Sequence, residues 1–262
     1  KYLKAMLGDT KFSKSTNLSA VNSINWARIV TQVVYYFFSY FKIAKEGEKI
    51  NFSVPTGNFG DIYAGYVAKK MGLPINKLLI ATNKNDILRR VIDRGLYKPL
   101  KVEQTISPSM DIQIASNFER LLFDICLEDS KKTSQLMKDL NEKGEFKLKE
   151  EQLVLLRENF LSESLNDDET KLIIKEIYKQ YKQLIDPHTA VGIGAMKKIK
   201  LEGNSIVLAT AHPFKFSNIV LKETGAKPEI PKSLKFLISN NEKYVELDKD
   251  LKDIKKYISE KI

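Results

Sequence analysis

Asn51-Phe-Ser-Val-Pro-Thr-Gly-Asn-Phe-Gly-Asp-Ile-Tyr-Ala-Gly-Tyr-Val-Ala-Lys-Lys-Met-Gly-Leu-Pro74 is the stretch from which the fold of this chain is read. Ile50 to Val54 is apolar and β-rich, with a turn signal directly after it, so a short buried strand is predicted. Pro55 to Gly60 holds too much Pro, Gly and Asn to continue as strand. From Asp61, the apolar residues Ile62, Tyr63, Tyr66, Val67 and Met71 recur at helical spacing. Gly72 then sits where a C-terminal cap belongs, and Pro74 prevents the helix from resuming. Strand, glycine-containing loop and helix N-terminus in that order aim unpaired N–H groups and the positive end of a helix dipole at one point. A phosphate suits such a point, and Gly57 and Gly60 let the backbone approach it without a Cβ in the way. The spacing is neither the dinucleotide fingerprint nor a Walker loop, since no Lys-Ser/Thr pair follows the glycines. On this chemistry alone an ordinary strand-to-helix turn is the competing reading.

The flanks extend the pattern. Lys77 to Ala81 reads as a second buried strand, and a helix through Ile87, Leu88, Val91 and Ile92 stops at Gly95. Ser205 to Ala209 reads as a third strand. It leads into Thr210-Ala-His-Pro213 and a helix beginning near Phe214. Strands alternating with helices predict an α/β fold with a parallel sheet covered on both faces, its ligand crevice at the carboxyl ends of the strands. Upstream, Lys1 to Leu18 is a basic, weakly patterned lead-in. Ala20 to Lys42 is a strongly apolar helix on which Arg28, Gln32, Tyr35, Ser39 and Lys42 share one narrow arc, which places it in the middle of a globular domain rather than in a membrane. Residues 99 to 111 form a loop, and Ile112 to Leu127 returns to helical spacing. Ser130 to Leu184 is charged and glycine-poor, and is expected to be a helical excursion outside the sheet. Asp186-Pro-His-Thr-Ala190 opens another helix. The tail has a strand-like Lys235-Phe-Leu-Ile and a Lys-rich final helix.

The bulk numbers narrow the classes. With 262 residues and 43% hydrophobic composition the chain can bury a sizeable core. Its single cysteine, Cys126, excludes an internal disulfide framework and points to a reducing compartment. The net charge of +10 invites a nucleic-acid reading, but lysines and acids are interspersed and no basic stripe with aromatics appears. No signal peptide or membrane span is visible. Two histidines and one cysteine supply no metal cluster, and no nucleophile elbow or catalytic triad is readable.

Thr56-Gly57-Asn58-Phe59-Gly60-Asp61 resembles the Ser/Thr-Gly-Asn-Phe-Gly-Asp phosphate loop of threonine synthases, fold-type-II enzymes that use pyridoxal 5′-phosphate (PLP). Further words match in order: Ser23-Ile-Asn-Trp-Ala-Arg28, Met71-Gly-Leu-Pro74, Ala81-Thr-Asn-Lys-Asn-Asp86, Ser109-Met-Asp111, Asn117-Phe-Glu-Arg120, Asp186-Pro-His-Thr-Ala190 and Thr210-Ala-His-Pro-Phe-Lys-Phe216. Phe214 stands where the family usually has Ala. The resemblance implies a three-layer sheet of the tryptophan synthase β type with a helical insertion at about 130–184. It implies that Gly57, Asn58, Phe59, Gly60 and Asp61 bind the cofactor phosphate, with the Asp61 carboxylate turned away from it, and that Thr210 hydrogen-bonds the pyridine nitrogen. Ser23, Asn25, Arg28, His188 and Lys215 become candidates for the substrate's own phosphate and carboxylate. The implied reaction is O-phospho-L-homoserine and water to L-threonine and phosphate, the last step of threonine biosynthesis, in the cytoplasm. The family's Schiff-base lysine lies on a Phe-Lys-Asp segment that does not occur here. That gap, and Lys1 in place of Met, lead to the expectation of a C-terminal portion of the catalytic domain that works with a missing N-terminal region and is inactive alone. Two alternatives stay open: a related PLP lyase that eliminates phosphate from the same substrate, and a basic α/β binding module without catalysis.

Overall fold

The structure, a computed structural model, describes residues 2–19, 25–236 and 241–262. Two compact units divide the chain. The first comprises Lys1–Asn25 and Ile230–Ile262. Its lead-in is helical: α1 (Tyr2–Gly8) and α2 (Thr10–Ser15), where the Asp9 side chain caps α2 by accepting from the Phe12 N–H. The Lys-rich tail forms the predicted terminal helix, Leu251–Lys261. The strand expected at Lys235 is not found: Lys235 and Phe236 are helical, and Leu237 and Ile238 lie outside the described residues.

The second unit, Trp26–Glu229, holds the sheet. Here α3 (Trp26–Ile43) leads to β1 (Ile50–Pro55), α4 (Gly60–Lys70), β2 (Ile75–Thr82) and α5 (Ile87–Arg94), close to prediction. A two-residue β3 (Leu96–Tyr97) precedes the long loop, and α6 (Phe118–Ile125), α7 (Ser130–Lys143), β4 (Phe146–Lys147) and α8 (Glu150–Asn159) follow. The unit closes with β5 (Phe160–Ser164), α9 (Asp167–Tyr181), α10 (Pro187–Ile199), β6 (Ser205–Val207) and α11 (Ser217–Thr224). The main sheet has the order β5-β2-β1-β6, and every pairing in it is parallel.

The pleat of β2 shows why the sheet needs two covers. Leu78 and Ile80 enter one core with Ile29, Tyr36, Ile62 and Phe160, while Leu79 and Ala81 enter another with Ala190, Val191 and Ala195 of α10. The fold is thus the three-layer α/β sandwich expected. Close approach of α10 depends on small residues: a Cβ on Gly192 would sit 2.8 Å from the Val207 side chain, and Ser53 donates to the Gly192 carbonyl at 2.7 Å.

Three expectations are corrected. Phe160–Ser164, inside the supposed excursion, is a strand of the main sheet beside β2, and Phe146–Lys147 pairs with Leu96–Tyr97. Its serines and glutamate disguised it, since an edge strand buries only part of its surface. Ile112 to Asn117 is not helical, because the Ala115 N–H is taken by the Tyr97 hydroxyl (2.9 Å) and the Asn117 N–H by the Asn58 carbonyl (3.1 Å). These tertiary bonds displace the local i to i−4 ladder. Finally, α3 is not enclosed: Ile29, Val33, Tyr36 and Tyr40 are buried, whereas Val34, Phe38 and Phe41 are 60–72% exposed. Among the described residues no helix is long and apolar enough to cross a membrane.

Candidate active site

At the carboxyl end of β1 the chain turns through Thr56 to Phe59 into α4. Phe59 holds a left-handed backbone (φ 65°), unfavourable for an aromatic residue by about 1–2 kcal/mol. Burial offsets this, since its ring is 1% exposed and lies against Phe118 (5.3 Å between centroids), Phe160 (5.8 Å) and Tyr63 (6.5 Å). The Asn58 carbonyl accepts from both the backbone N–H (3.1 Å) and the side-chain amide (3.0 Å) of Asn117. In a trans peptide the Phe59 N–H points the opposite way. Among the described residues, no N–H group from Gly57 to Ile62 donates to another group of the chain. Such a run of unengaged donors at a helix N-terminus is an anion cradle.

The Gly57 requirement proves to be internal. A Cβ there would lie 2.7 Å from the Ser109 carbonyl oxygen, so the 107–111 segment, rather than a ligand, occupies that space. Asp111 anchors the segment, its carboxylate accepting from Asn83 Nδ2 (2.8 Å), Asn85 Nδ2 (3.1 Å), Thr105 Oγ1 (2.7 Å) and the Thr105 N–H (2.9 Å).

Asp61 is turned toward α3, where the Tyr36 hydroxyl donates to its carbonyl (2.8 Å) and lies 3.2 Å from Oδ1. Burial pushes its carboxyl up from about 3.8 to about 6, and the Tyr36 hydrogen bond pulls the other way. The folded chain therefore holds this proton more tightly than the unfolded one. Its contribution to stability is intact below about pH 4 and is lost as pH rises through about 6, at most about 3 kcal/mol. Asp61→Asn is expected to flatten that part of the stability profile in urea unfolding between pH 4 and 7. An unchanged slope would assign the effect to other groups.

Thr210 follows β6, which runs parallel beside β1 with Ser53 opposite Val207. Extending the register by three residues brings Thr210 level with Thr56, so the Asn58 loop and Thr210 leave the sheet from the same end. Thr210 and Lys215 are exposed. His188 is buried, and both its ring nitrogens have partners within the chain. Arg28 lies exposed in the first turn of α3, two residues after Trp26, whose ring meets Tyr63 edge-on at 6.4 Å. Asn25 belongs to the first unit, and Ser23 lies outside the described residues. Asn117, Ser109, Asp111 and Tyr36 had no role assigned from sequence. The quoted words Ser109-Met-Asp111 and Asn117-Phe-Glu-Arg120 marked three of those places, and nothing marked Tyr36.

A family profile described as "Threonine synthase, C-terminal" matches residues 189–258. A curated threonine synthase from Pseudomonas aeruginosa is 40% identical over 261 residues, which cover 98% of this chain and 56% of that protein. Along nearly its whole length the chain matches part of the threonine synthases. The crystal structure of PLP-bound threonine synthase from Brucella melitensis superposes with a TM-score of 0.92 at 44% identity, covering 99% of this chain and 56% of that one. Yeast threonine synthase gives 0.86 at 40% identity, with the same coverage. The chain thus spans just over half the length of these threonine synthases.

Proposed function

We propose that the protein carrying this chain is a threonine synthase, converting O-phospho-L-homoserine and water into L-threonine and phosphate with PLP. The observation that carries the proposal is the run of unengaged N–H groups from Gly57 to Ile62, one strand away from the Thr210 segment. These residues fit the cofactor: Gly57, Asn58, Phe59, Gly60 and Asp61 would hold its phosphate through backbone donors. The Asp61 carboxylate, bound to Tyr36, is kept from repelling it. Thr210 would donate to the pyridine nitrogen, and a neutral hydroxyl leaves that nitrogen largely unprotonated. PLP, when bound, supplies an electron sink for negative charge developing on the substrate carbons. Arg28 and Lys215 offer positive charge for the substrate's phosphate and carboxylate. No lysine here has the Phe-Lys-Asp setting, so in this reading the covalent link to the cofactor comes from beyond these 262 residues. A cytoplasmic location belongs to the same reading, supported by the single, buried Cys126.

In the full-length enzyme, Asn58→Asp is expected to weaken PLP binding at least about tenfold, by placing negative charge beside a phosphate. Equilibrium titration checks this, and unchanged affinity would reject the cradle. Incubating O-phosphohomoserine with the enzyme in ¹⁸O water should yield threonine carrying one solvent oxygen. Phosphate release without labelled threonine would favour a lyase that stops at elimination.

A further inference from the structure

Asp186 caps α10 from a fully buried position. Its Oδ1 accepts from the His188 N–H (2.8 Å) and lies 2.8 Å from His188 Nδ1, while the Thr189 hydroxyl donates to Oδ2. On the far side of the imidazole, Nε2 is 3.2 Å from the N–H of Ser109. A backbone N–H can only donate, so Nε2 must be the acceptor. The ring proton then sits on Nδ1, directed at Asp186, and the imidazole is neutral. The same ring packs on Phe216 with centroids 4.8 Å apart and planes at 57°.

One side chain therefore reaches two segments that lie far apart in the sequence. Ser109, held by its N–H, places its carbonyl against Gly57 of the phosphate loop. Phe216 ends the short helical turn Pro213–Phe216 that follows Thr210. Neither segment has a strand ladder to hold it: Ser109 lies in the 3₁₀ turn Pro108–Met110, and the β6 pairing stops at Val207. We propose that His188 is a positioning residue that sets the phosphate loop and the Thr210 segment relative to each other. It acts through the Ser109 N–H and the Phe216 ring, not through contact with cofactor or substrate. This rests on reading the site as a PLP site.

The test uses the full-length enzyme. His188→Phe keeps a flat ring but removes both hydrogen bonds, whereas His188→Gln can still present an oxygen to Ser109. PLP affinity, measured by equilibrium titration, should fall at least tenfold in His188→Phe and stay within about threefold of wild type in His188→Gln. In ¹⁵N spectra of histidine-labelled protein, the signals missing from His188→Gln identify this ring. They should show a protonated Nδ1 and an unprotonated Nε2. Wild-type affinity in His188→Phe, an equal loss in both variants, or a proton on Nε2 would each overturn the proposal. Should His188→Phe fail to fold, the tautomer and the His188→Gln affinity decide. A wild-type enzyme that binds no PLP would instead defeat the cofactor reading itself.

Discussion

Phe59→Ala is expected to lower the unfolding free energy by about 3–5 kcal/mol, the range for removing a fully buried aromatic ring. The ring is 1% exposed and touches aromatic side chains from α4, α6 and β5 at once. Its loss leaves a cavity bounded by a strand and two helices, which cannot collapse without moving the sheet. Alanine keeps the left-handed backbone cost while losing the contacts that offset it. Phe41→Ala serves as control: Phe41 is 72% exposed, so a change within about 0.5 kcal/mol is expected. Denaturant unfolding of both variants measures the difference. A Phe59 loss below about 1 kcal/mol would mean that the loop is not held by its aromatic anchor.

Gly57→Ala is expected to weaken PLP and inorganic phosphate binding by roughly a hundredfold. The new Cβ would start 2.7 Å from the Ser109 carbonyl oxygen, a backbone atom that cannot rotate away. Ser109 is itself fixed by His188, and its turn is closed by the Met110 N–H bonding to Ser107 (3.0 Å). On the other side, Thr56 is held by its N–H to the Ala81 carbonyl (2.8 Å). Relieving the overlap must move the loop or the segment, at about 1–3 kcal/mol, and a few tenths of an ångström misaim the donors. Gly8→Ala meets nothing within 4 Å and should leave binding unchanged. Calorimetric titration with phosphate and with PLP distinguishes the outcomes. Wild-type affinity in Gly57→Ala would show that the loop tolerates displacement and that the tight contact is incidental.

Much of this was legible in the residues. Ile50–Val54 and the stops at Gly72 and Gly95 announced their elements through local chemistry: apolar runs, helical period, and glycine where the backbone turns left-handed. That the Asp61 carboxyl meets the Tyr36 hydroxyl of α3 was not legible, because the two residues lie 25 positions apart. Phe160–Ser164 was not legible, because Phe-Leu-Ser-Glu-Ser has no apolar run and takes its strand character from β2 beside it. The helix expected from Ile112 failed because Tyr97 and Asn58 offered its N–H groups better-placed partners.

By itself the sequence determined the alternation of the strands at Ile50, Lys77 and Ser205 with helices, the parallel sheet they form, and the glycine-containing loop that opens α4. Each depends on neighbours a few residues apart, and short-range sterics and hydrogen bonding act at that distance. Only the tertiary structure decided that Ser109, not a ligand, fills the space beside Gly57, and that His188 faces inward between Ser109 and Phe216. Those contacts join residues 52, 79 and 28 positions apart, and no local rule reaches across such gaps. They exist because the sheet brings the carboxyl ends of its strands together and packing leaves each side chain one place to go.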